Sequence, residues 1–124
     1  MKKAWVLFAL FLLSGISAYS QEVKAEKAYT VPAGAYLAFD YAFAQPSRMW
    51  GRFRAEGGKG NDIEAFVLDD DSFENWKNGH QVKAYYQSGR VTVATYDVTL
   101  PKGNYHFVFS NTFSIVTPKA LTVW

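Results

Sequence analysis

The sequence predicts an all-β protein: an antiparallel β-sandwich of jelly-roll type, with about eight strands and one short helical turn. Apolar residues recur at every second position along most of the chain after residue 34, which is the period of a strand with one buried face. The strands follow one another with almost no helical segments to form parallel crossovers, so their sheets are expected to be antiparallel. Two sheets with one apolar face each bury those faces by packing together.

The N-terminus, residues 1–20, has the three-part pattern of a secretory signal peptide. Two lysines form a positive start, a ten-residue apolar run ends at Leu13, and small residues precede Gln21. The apolar run is shorter than the about 20 residues that a membrane-spanning helix needs. We therefore expect cleavage near Ser20-Gln21, a periplasmic or secreted protein, and no transmembrane segment in the mature chain. An uncleaved N-terminal anchor is the alternative.

Composition excludes several classes of function. The 13 Lys and Arg residues exceed the 11 Asp and Glu residues only because of Lys2 and Lys3, so the mature chain would be formally neutral. A nucleic-acid partner held by bulk positive charge is not expected. The absence of cysteine excludes a disulfide scaffold, a thiolate metal site and a cysteine nucleophile. The length of 124 residues allows one domain.

Residues 21–30 form a polar lead that is either an edge strand or a loose tail, and the sandwich domain is predicted to span residues 31–124. Its first strands are predicted over residues 35–43 and 48–56, where apolar and polar residues alternate. The buried face of the first holds Leu37, Phe39, Tyr41 and Phe43. The buried face of the second holds Met49, Gly51, Phe53 and Ala55.

The middle of the chain contains a loop, a central strand and the helical turn. Residues 57–62 are predicted as a loop because their three glycines supply the backbone freedom that a tight connection needs. Residues 63–68 carry apolar side chains in both phases, which predicts a central strand covered on both sides. One or two helical turns follow, with Asp71 or Ser72 as the N-cap and Gly79 in the left-handed position that ends a helix.

A strand is predicted over residues 81–87, a turn at residues 88–89 and a long strand over residues 90–100. The apolar phase changes within the long strand. A β-bulge near Ala94-Thr95 would explain this change, because a bulge inserts one extra residue into the pairing.

The C-terminal part is predicted to close the sandwich. After a β-turn at Pro101, the next strand has three aromatic residues on its buried face: Tyr105, Phe107 and Phe109. Asn111 and Ser114 are expected to hydrogen-bond the backbone at a turn. A last strand or strand pair lies within residues 113–124 and is interrupted at Pro118.

A spaced pattern runs through this C-terminal part: Gly103-x-Tyr105-x-x-x-Phe109-x-Asn111-Thr112-Phe113-Ser114, followed by Lys119. An earlier segment runs from Arg52 to Gly58 and continues to Ile63 and Phe66, and a turn stands at residues 31–34. Together these features, within residues 24–124, resemble the GOLD (Golgi dynamics) domain family, most specifically in the C-terminal pattern.

The resemblance implies a β-sandwich that binds proteins and has no catalytic activity. Members of the family are lumenal cargo-sorting domains of the early secretory pathway or appendages of lipid-transfer proteins. This chain lacks the cysteine pair of the cargo receptors, their coiled-coil segment, and their transmembrane helix with its cytoplasmic tail. Only the fold and the character of a binding module are therefore carried over.

The candidate binding residues are Arg48, Trp50 and Arg52, which share the outward phase of their strand. Trp and Arg are typical hot-spot residues, and the row is expected to meet the loop of residues 57–62 at one end of the sandwich. Guanidinium groups beside an aromatic ring could hold a carboxylate or phosphate. The favoured alternative is that these arginines pair with acids on a neighbouring strand, such as Glu64.

Other side chains are weighed against structural roles. Asp62 and the acids of residues 69–71 could offer oxygen ligands to Ca²⁺, but the favoured interpretation is a solvated loop whose acids stabilise a helix N-terminus. His80 and His106 are expected to be surface residues, without metal-ligand spacing or a nucleophile nearby. Five aromatic residues fall in outward phases and either stack on sugars or lie under loops: Tyr36, Trp50, Trp76, Tyr85 and Tyr96.

These observations predict an exported, non-catalytic interaction module that binds a protein or an envelope component. A carbohydrate-binding module of the cell envelope is the alternative, and the exposed aromatic residues are the feature that would distinguish it. No catalytic residues, cofactor or metal site are indicated.

Overall fold

The computed structural model describes residues 26–60 and 62–124, which form two four-stranded antiparallel sheets. The strands are β1 (Lys27–Val31), β2 (Tyr36–Phe43), β3 (Ser47–Glu56), β4 (Ile63–Asp69), β5 (Tyr86–Val91), β6 (Val93–Leu100), β7 (Gly103–Ser110) and β8 (Lys119–Val123), with helix α1 (Asp70–Lys77) between β4 and β5. The predicted all-β sandwich of about eight strands with one short helix is confirmed. The predicted signal peptide and its cleavage site lie outside the described residues.

The strand order follows a nested pattern. The first sheet has the order β1-β8-β3-β6 and the second has the order β2-β7-β4-β5. The first strand therefore pairs with the last, the second with the seventh, the third with the sixth and the fourth with the fifth, all antiparallel. Strand β1 lies at the edge of its sheet, and an edge strand was one of the two alternatives predicted for the polar lead.

The core lies between the sheets and consists largely of the inward phases predicted from the sequence. Tyr41, which was predicted to be buried, is 39% exposed, so that part of the prediction is wrong. Phe53 of β3 packs edge-to-face on Phe109 of β7, with ring centroids 5.2 Å apart. Phe107 and Phe109 stack at 4.5 Å, and together with Tyr105 they are almost fully buried, as predicted. Strand β4 is buried on both sides, also as predicted, because α1 covers its outer side with Phe73 and other apolar residues.

Helix α1 begins earlier than the sequence predicted, and it ends where the sequence predicted. Its N-cap is Asp69, whose side chain accepts a hydrogen bond from the Ser72 backbone N–H at 2.8 Å, so the prediction of Asp71 or Ser72 as the cap is wrong. Gly79 has φ of 82°, and its N–H and that of His80 donate to carbonyls of the last turn at 3.0 Å. These two hydrogen bonds form a Schellman motif, which confirms the left-handed role of Gly79.

The segment before β6 departs from the prediction. Residues 80–84 form no strand, and β5 runs through residues 88–89, where a turn was predicted. The register of β5 against β4 shifts beside Ser88, whose hydroxyl accepts a hydrogen bond from the Ala65 N–H at 2.9 Å. The chain instead turns at Thr92, so the predicted long strand is two strands. The change of phase comes from this turn, and β6 pairs with β3 in unbroken register past Ala94.

Candidate functional site

The outer side of the first sheet carries the predicted binding residues. Helix α1 packs on β4 and β7 of the second sheet, so the outer side of the first sheet has no helix over it within the described residues. Arg48, Trp50 and Arg52 alternate with inward residues of β3, and all three are exposed there. The structure thus places the three predicted residues together on one face.

Arg48 makes the strongest polar contact of this face. Its Nε and Nη2 donate to Oδ1 and Oδ2 of Asp97 on β6, both at 2.9 Å. This bidentate hydrogen bond lowers the pKa of Asp97 and raises the pKa of Arg48. Pairing with an acid on a neighbouring strand was predicted, but Glu64 as the partner is wrong because it lies on β4 of the other sheet.

Two tryptophans each lie under a guanidinium group. Trp50 is 62% exposed, and the guanidinium carbon of Arg48 lies 4.7 Å from its ring centroid. The guanidinium carbon of Arg52 lies 4.2 Å from the ring of Trp124. We call Arg48, Trp50, Arg52, Asp97 and Trp124 the Arg–Trp face. Trp50 is therefore a surface residue and belongs to neither apolar core cluster.

Trp124 is the residue of this face that sequence reasoning missed. Its backbone exchanges hydrogen bonds with Arg52, at 2.8 Å from the Trp124 N–H and 3.3 Å to the Trp124 carbonyl. Gly51 allows this close approach, because a Cβ there would lie 2.2 Å from the Trp124 carbonyl oxygen. A glycine in an inward phase of β3 was the available signal for a close backbone neighbour.

The face does not meet the loop that was expected to adjoin it. Trp50 lies six residues before Glu56, the last residue of β3, and the loop of residues 57–60 follows Glu56. Six residues of strand span about 20 Å. The predicted junction of Trp50 with that loop is therefore wrong, and the Arg–Trp face occupies the body of the sheet.

A buried cation organises the loop end of the sandwich. Lys119 is only 3% exposed, and its Nζ donates to the Asp62 carbonyl at 2.9 Å, to Asn111 Oδ1 at 2.8 Å and to Ser114 Oγ at 3.1 Å. The predicted hydrogen bonding of Asn111 to the backbone is confirmed, whereas the Ser114 hydroxyl contacts the Lys119 side chain instead. Asp62 is buried rather than solvated, and its Oδ1 accepts from the Gly60 N–H at 3.1 Å.

Asn111 connects three separate backbone segments. Its Nδ2 donates to the carbonyl oxygens of Val31, Pro32 and Thr117, at 3.2, 3.1 and 2.9 Å. These bonds and the Lys119–Ser114 bond fix both ends of the loop before β8, whose tip exposes two aliphatic side chains. Ile115 is 92% exposed and Val116 is 81% exposed, and neither was singled out from the sequence.

His106 is not the ordinary surface residue that was predicted. Its Nδ1 lies 2.7 Å from Oδ1 of Asp40 and its Nε2 lies 2.6 Å from Oδ1 of Asp70, and its side chain is only 15% exposed. The ring also stacks on Phe73 at 4.3 Å. His106 therefore ties α1 to both β2 and β7. The acids at the start of α1 stabilise the helix N-terminus, as the favoured interpretation predicted. Asp70 also contacts His106.

Within residues 26–60 and 62–124, no group of three or more His, Asp or Glu residues could hold a metal ion. No helix in the same part of the chain is long and apolar enough to cross a membrane.

The remaining outward aromatic residues are divided between core and surface. Tyr36 packs edge-to-face on Trp76 at 5.0 Å beneath α1, and Tyr96 packs on Phe107 at 4.8 Å inside the sandwich. Tyr85 is exposed, as Trp50 is, but it contacts Tyr105 of the second sheet. The two exposed rings therefore lie on different sheets.

No protein-family model matches the chain, and no curated protein matches it. The function is therefore inferred from the residues of the candidate site.

Proposed function

We propose that this protein is an exported, non-catalytic interaction module that binds another protein, or a protein component of the cell envelope, through the Arg–Trp face. The observation that carries the proposal is Trp50, a large ring that is 62% exposed between two arginines, on a sheet face that no helix covers within the described residues. Trp and Arg are the residues most enriched in the energetic centres of protein interfaces.

The charges of the face indicate the chemistry of the partner. Asp97 engages Arg48, whereas Arg52 has no carboxylate partner within the described residues. Arg52 is held over Trp124, so its guanidinium is already oriented before binding. A partner that presents an acidic side chain opposite Arg52 and an apolar surface opposite Trp50 would complement this face.

A carbohydrate ligand is the second candidate, and the geometry favours it less. Sugar rings stack on free, coplanar aromatic faces, but Arg48 and Arg52 each lie over a tryptophan ring of this surface. Tyr85 lies on the other sheet and cannot extend a row from Trp50.

We include the GOLD domain family and the jelly-roll topology in the same proposal. The nested pairing of the strands supports a jelly roll, in which a long hairpin rolls into two sheets. Three residues of the pattern that resembles the GOLD domain, Asn111, Ser114 and Lys119, join in one buried network, which supports that pattern as a structural unit.

Two experiments test the class of partner. A cross-linking pull-down from envelope extract is expected to recover a protein with the wild type and with Ile115→Ser, but not with Trp50→Ala. Ile115→Ser is the matched control, because it removes an exposed apolar side chain that lies outside the Arg–Trp face. A polysaccharide array is expected to show no binding. Binding on the array that Trp50→Ala abolishes would establish the carbohydrate candidate instead.

Export is tested separately. Cleavage after Ser20 would give a mature protein that begins at Gln21, because the small residues before this bond match a signal-peptidase site. Mass spectrometry of the protein from its native cells is expected to find that N-terminus. A protein that retains Met1 or Lys2 would contradict export by cleavage.

A further inference from the structure

A cavity of about 280 Å³ opens between the two sheets on the side of β1 and β2. Seven of the nine residues that line it are aromatic. They come from both sheets and include Tyr29, Phe39, Tyr41, Tyr96 and Phe107. The volume lies just below the roughly 300–1,000 Å³ of typical small-molecule sites, which suits a small ligand.

Aromatic rings that pack on one another form most of the walls of the cavity. Tyr29 and Phe39 face each other from opposite sheets with ring centroids 5.0 Å apart, and Tyr96 packs edge-to-face on Phe107 at 4.8 Å. These contacts hold the rings at fixed angles. Their exposed faces and edges are suited to a planar apolar body, because aromatic rings prefer offset-stacked and edge-to-face neighbours.

Three polar side chains that line this cavity, Lys27, Tyr29 and Tyr41, make no hydrogen bond or ion pair within the described residues. Lys27 is the one charged residue among those that line it, and it makes no ion pair within the described residues. The hydroxyls of Tyr29 and Tyr41 make no hydrogen bond within the same part of the chain. Burial raises the pKa of Tyr41, and the charge interaction with Tyr29 raises it further. Tyr96 differs, because its hydroxyl donates to the Trp124 carbonyl at 3.1 Å.

We propose that this cavity binds a small aromatic carboxylate, with the ring between the aromatic walls and the carboxylate at Lys27, Tyr29 and Tyr41. An ammonium and two hydroxyls match a group that only accepts hydrogen bonds. Aromatic walls alone would also suit an organic cation, but the ammonium of Lys27 repels one. This site goes beyond the proposed protein-binding function and shares only Trp124 with the Arg–Trp face.

The test compares two ligands of the same shape. The purified protein is titrated with naphthalene-2-carboxylate and with naphthalene-2-carboxamide, its neutral counterpart, by calorimetry. We expect saturable binding of the carboxylate, at least tenfold tighter than binding of the amide. Lys27→Gln is expected to weaken carboxylate binding at least tenfold and to change amide binding less than twofold. Tyr41→Phe is expected to weaken carboxylate binding by several-fold.

Two further variants locate the site. Lys102→Gln, on an exposed turn, is expected to leave carboxylate binding unchanged. Arg52→Gln, on the Arg–Trp face, tests whether the ligand occupies that face instead. The proposal is overturned if neither ligand binds saturably, if the two ligands bind equally, or if Lys27→Gln behaves like Lys102→Gln. It is also overturned if Arg52→Gln, rather than Lys27→Gln, removes binding, because the ligand would then occupy the Arg–Trp face.

Discussion

Lys119 and Asn111 show how single polar residues stabilise the loop end of the sandwich. A buried ammonium is unfavourable unless its charge is hydrogen-bonded, and Lys119 has three oxygen acceptors and the ring of Phe113 at 5.1 Å. Asn111 both accepts from Lys119 and donates to three carbonyl oxygens. The loss of Asn111 would therefore leave several buried groups without partners.

We expect Asn111→Ala to lower the free energy of unfolding by about 3–5 kcal/mol, since a buried cation and several carbonyls lose their partner at once. Asn104→Ala is the matched control, because Asn104 lies on β7, the strand that ends directly before Asn111. Asn104 is exposed and makes one long hydrogen bond, 3.5 Å, to Asp70, so its loss should cost less than about 0.5 kcal/mol. Urea denaturation measures both. Equal costs for the two variants would contradict the role given to the network.

The sequence could indicate which residues are polar at the C-terminal turn, but it could not indicate that Lys119 is buried. A lysine at the start of a strand is usually exposed. Its acceptors come from residues 62, 111 and 114, and only the pairing of the strands brings the first of these to the other two. Alternation, by contrast, predicted the inward phase of β3, because its outer side is exposed and its inner side is apolar.

Among the secondary-structure elements, strand predictions were wrong where apolar residues kept their spacing across a bend in the chain. Val91 and Val93 suggest one continuous strand, yet the chain bends at Thr92 as it passes from β5 in the second sheet to β6 in the first. Gly89 looked like a turn residue, but its φ of 69° serves the irregular pairing of β5 with β4. A positive φ at glycine fits both a turn and a bulge, so the local sequence does not distinguish them.

The N-cap of α1 gives a test at this scale. Asp69→Ala should destabilise the protein by about 1 kcal/mol, because its carboxylate is the acceptor of the Ser72 N–H. Asp71→Ala, in the exposed first turn, should cost about 0.3–0.5 kcal/mol through the helix dipole alone. Thermal or urea unfolding distinguishes the two variants. A larger loss of stability for Asp71→Ala than for Asp69→Ala would support Asp71 as the N-cap and contradict Asp69.

The whole molecule should lose stability in alkali because of its buried tyrosines. Burial raises the pKa of Tyr41, Tyr86, Tyr96 and Tyr105. Their neutral forms are favoured in the folded state, whereas tyrosines of the unfolded chain ionise near about pH 10. The stability is therefore fully present below about pH 10 and is lost as the pH rises through the folded-state pKa values.

We expect the urea midpoint to fall as the pH rises from about 10 to about 12, and tyrosinate absorbance to rise steeply as the protein unfolds. The hydroxyl of Tyr105, which donates to the Pro101 carbonyl at 2.8 Å, should ionise only with unfolding. A constant midpoint over this range, with tyrosinate forming in the folded protein, would contradict the burial of these rings.

The most direct test of the central claim pairs two measurements on Trp50→Ala: its affinity for the protein recovered by cross-linking, and its melting temperature. Trp50 is exposed and makes its contact with Arg48 on the surface, so its loss should leave the melting temperature within about 3 °C of the wild type. The affinity should fall at least 30-fold, as at a hot-spot tryptophan, which corresponds to about 2 kcal/mol. Unchanged affinity, or a large loss of melting temperature, would show that the Arg–Trp face is not the binding surface.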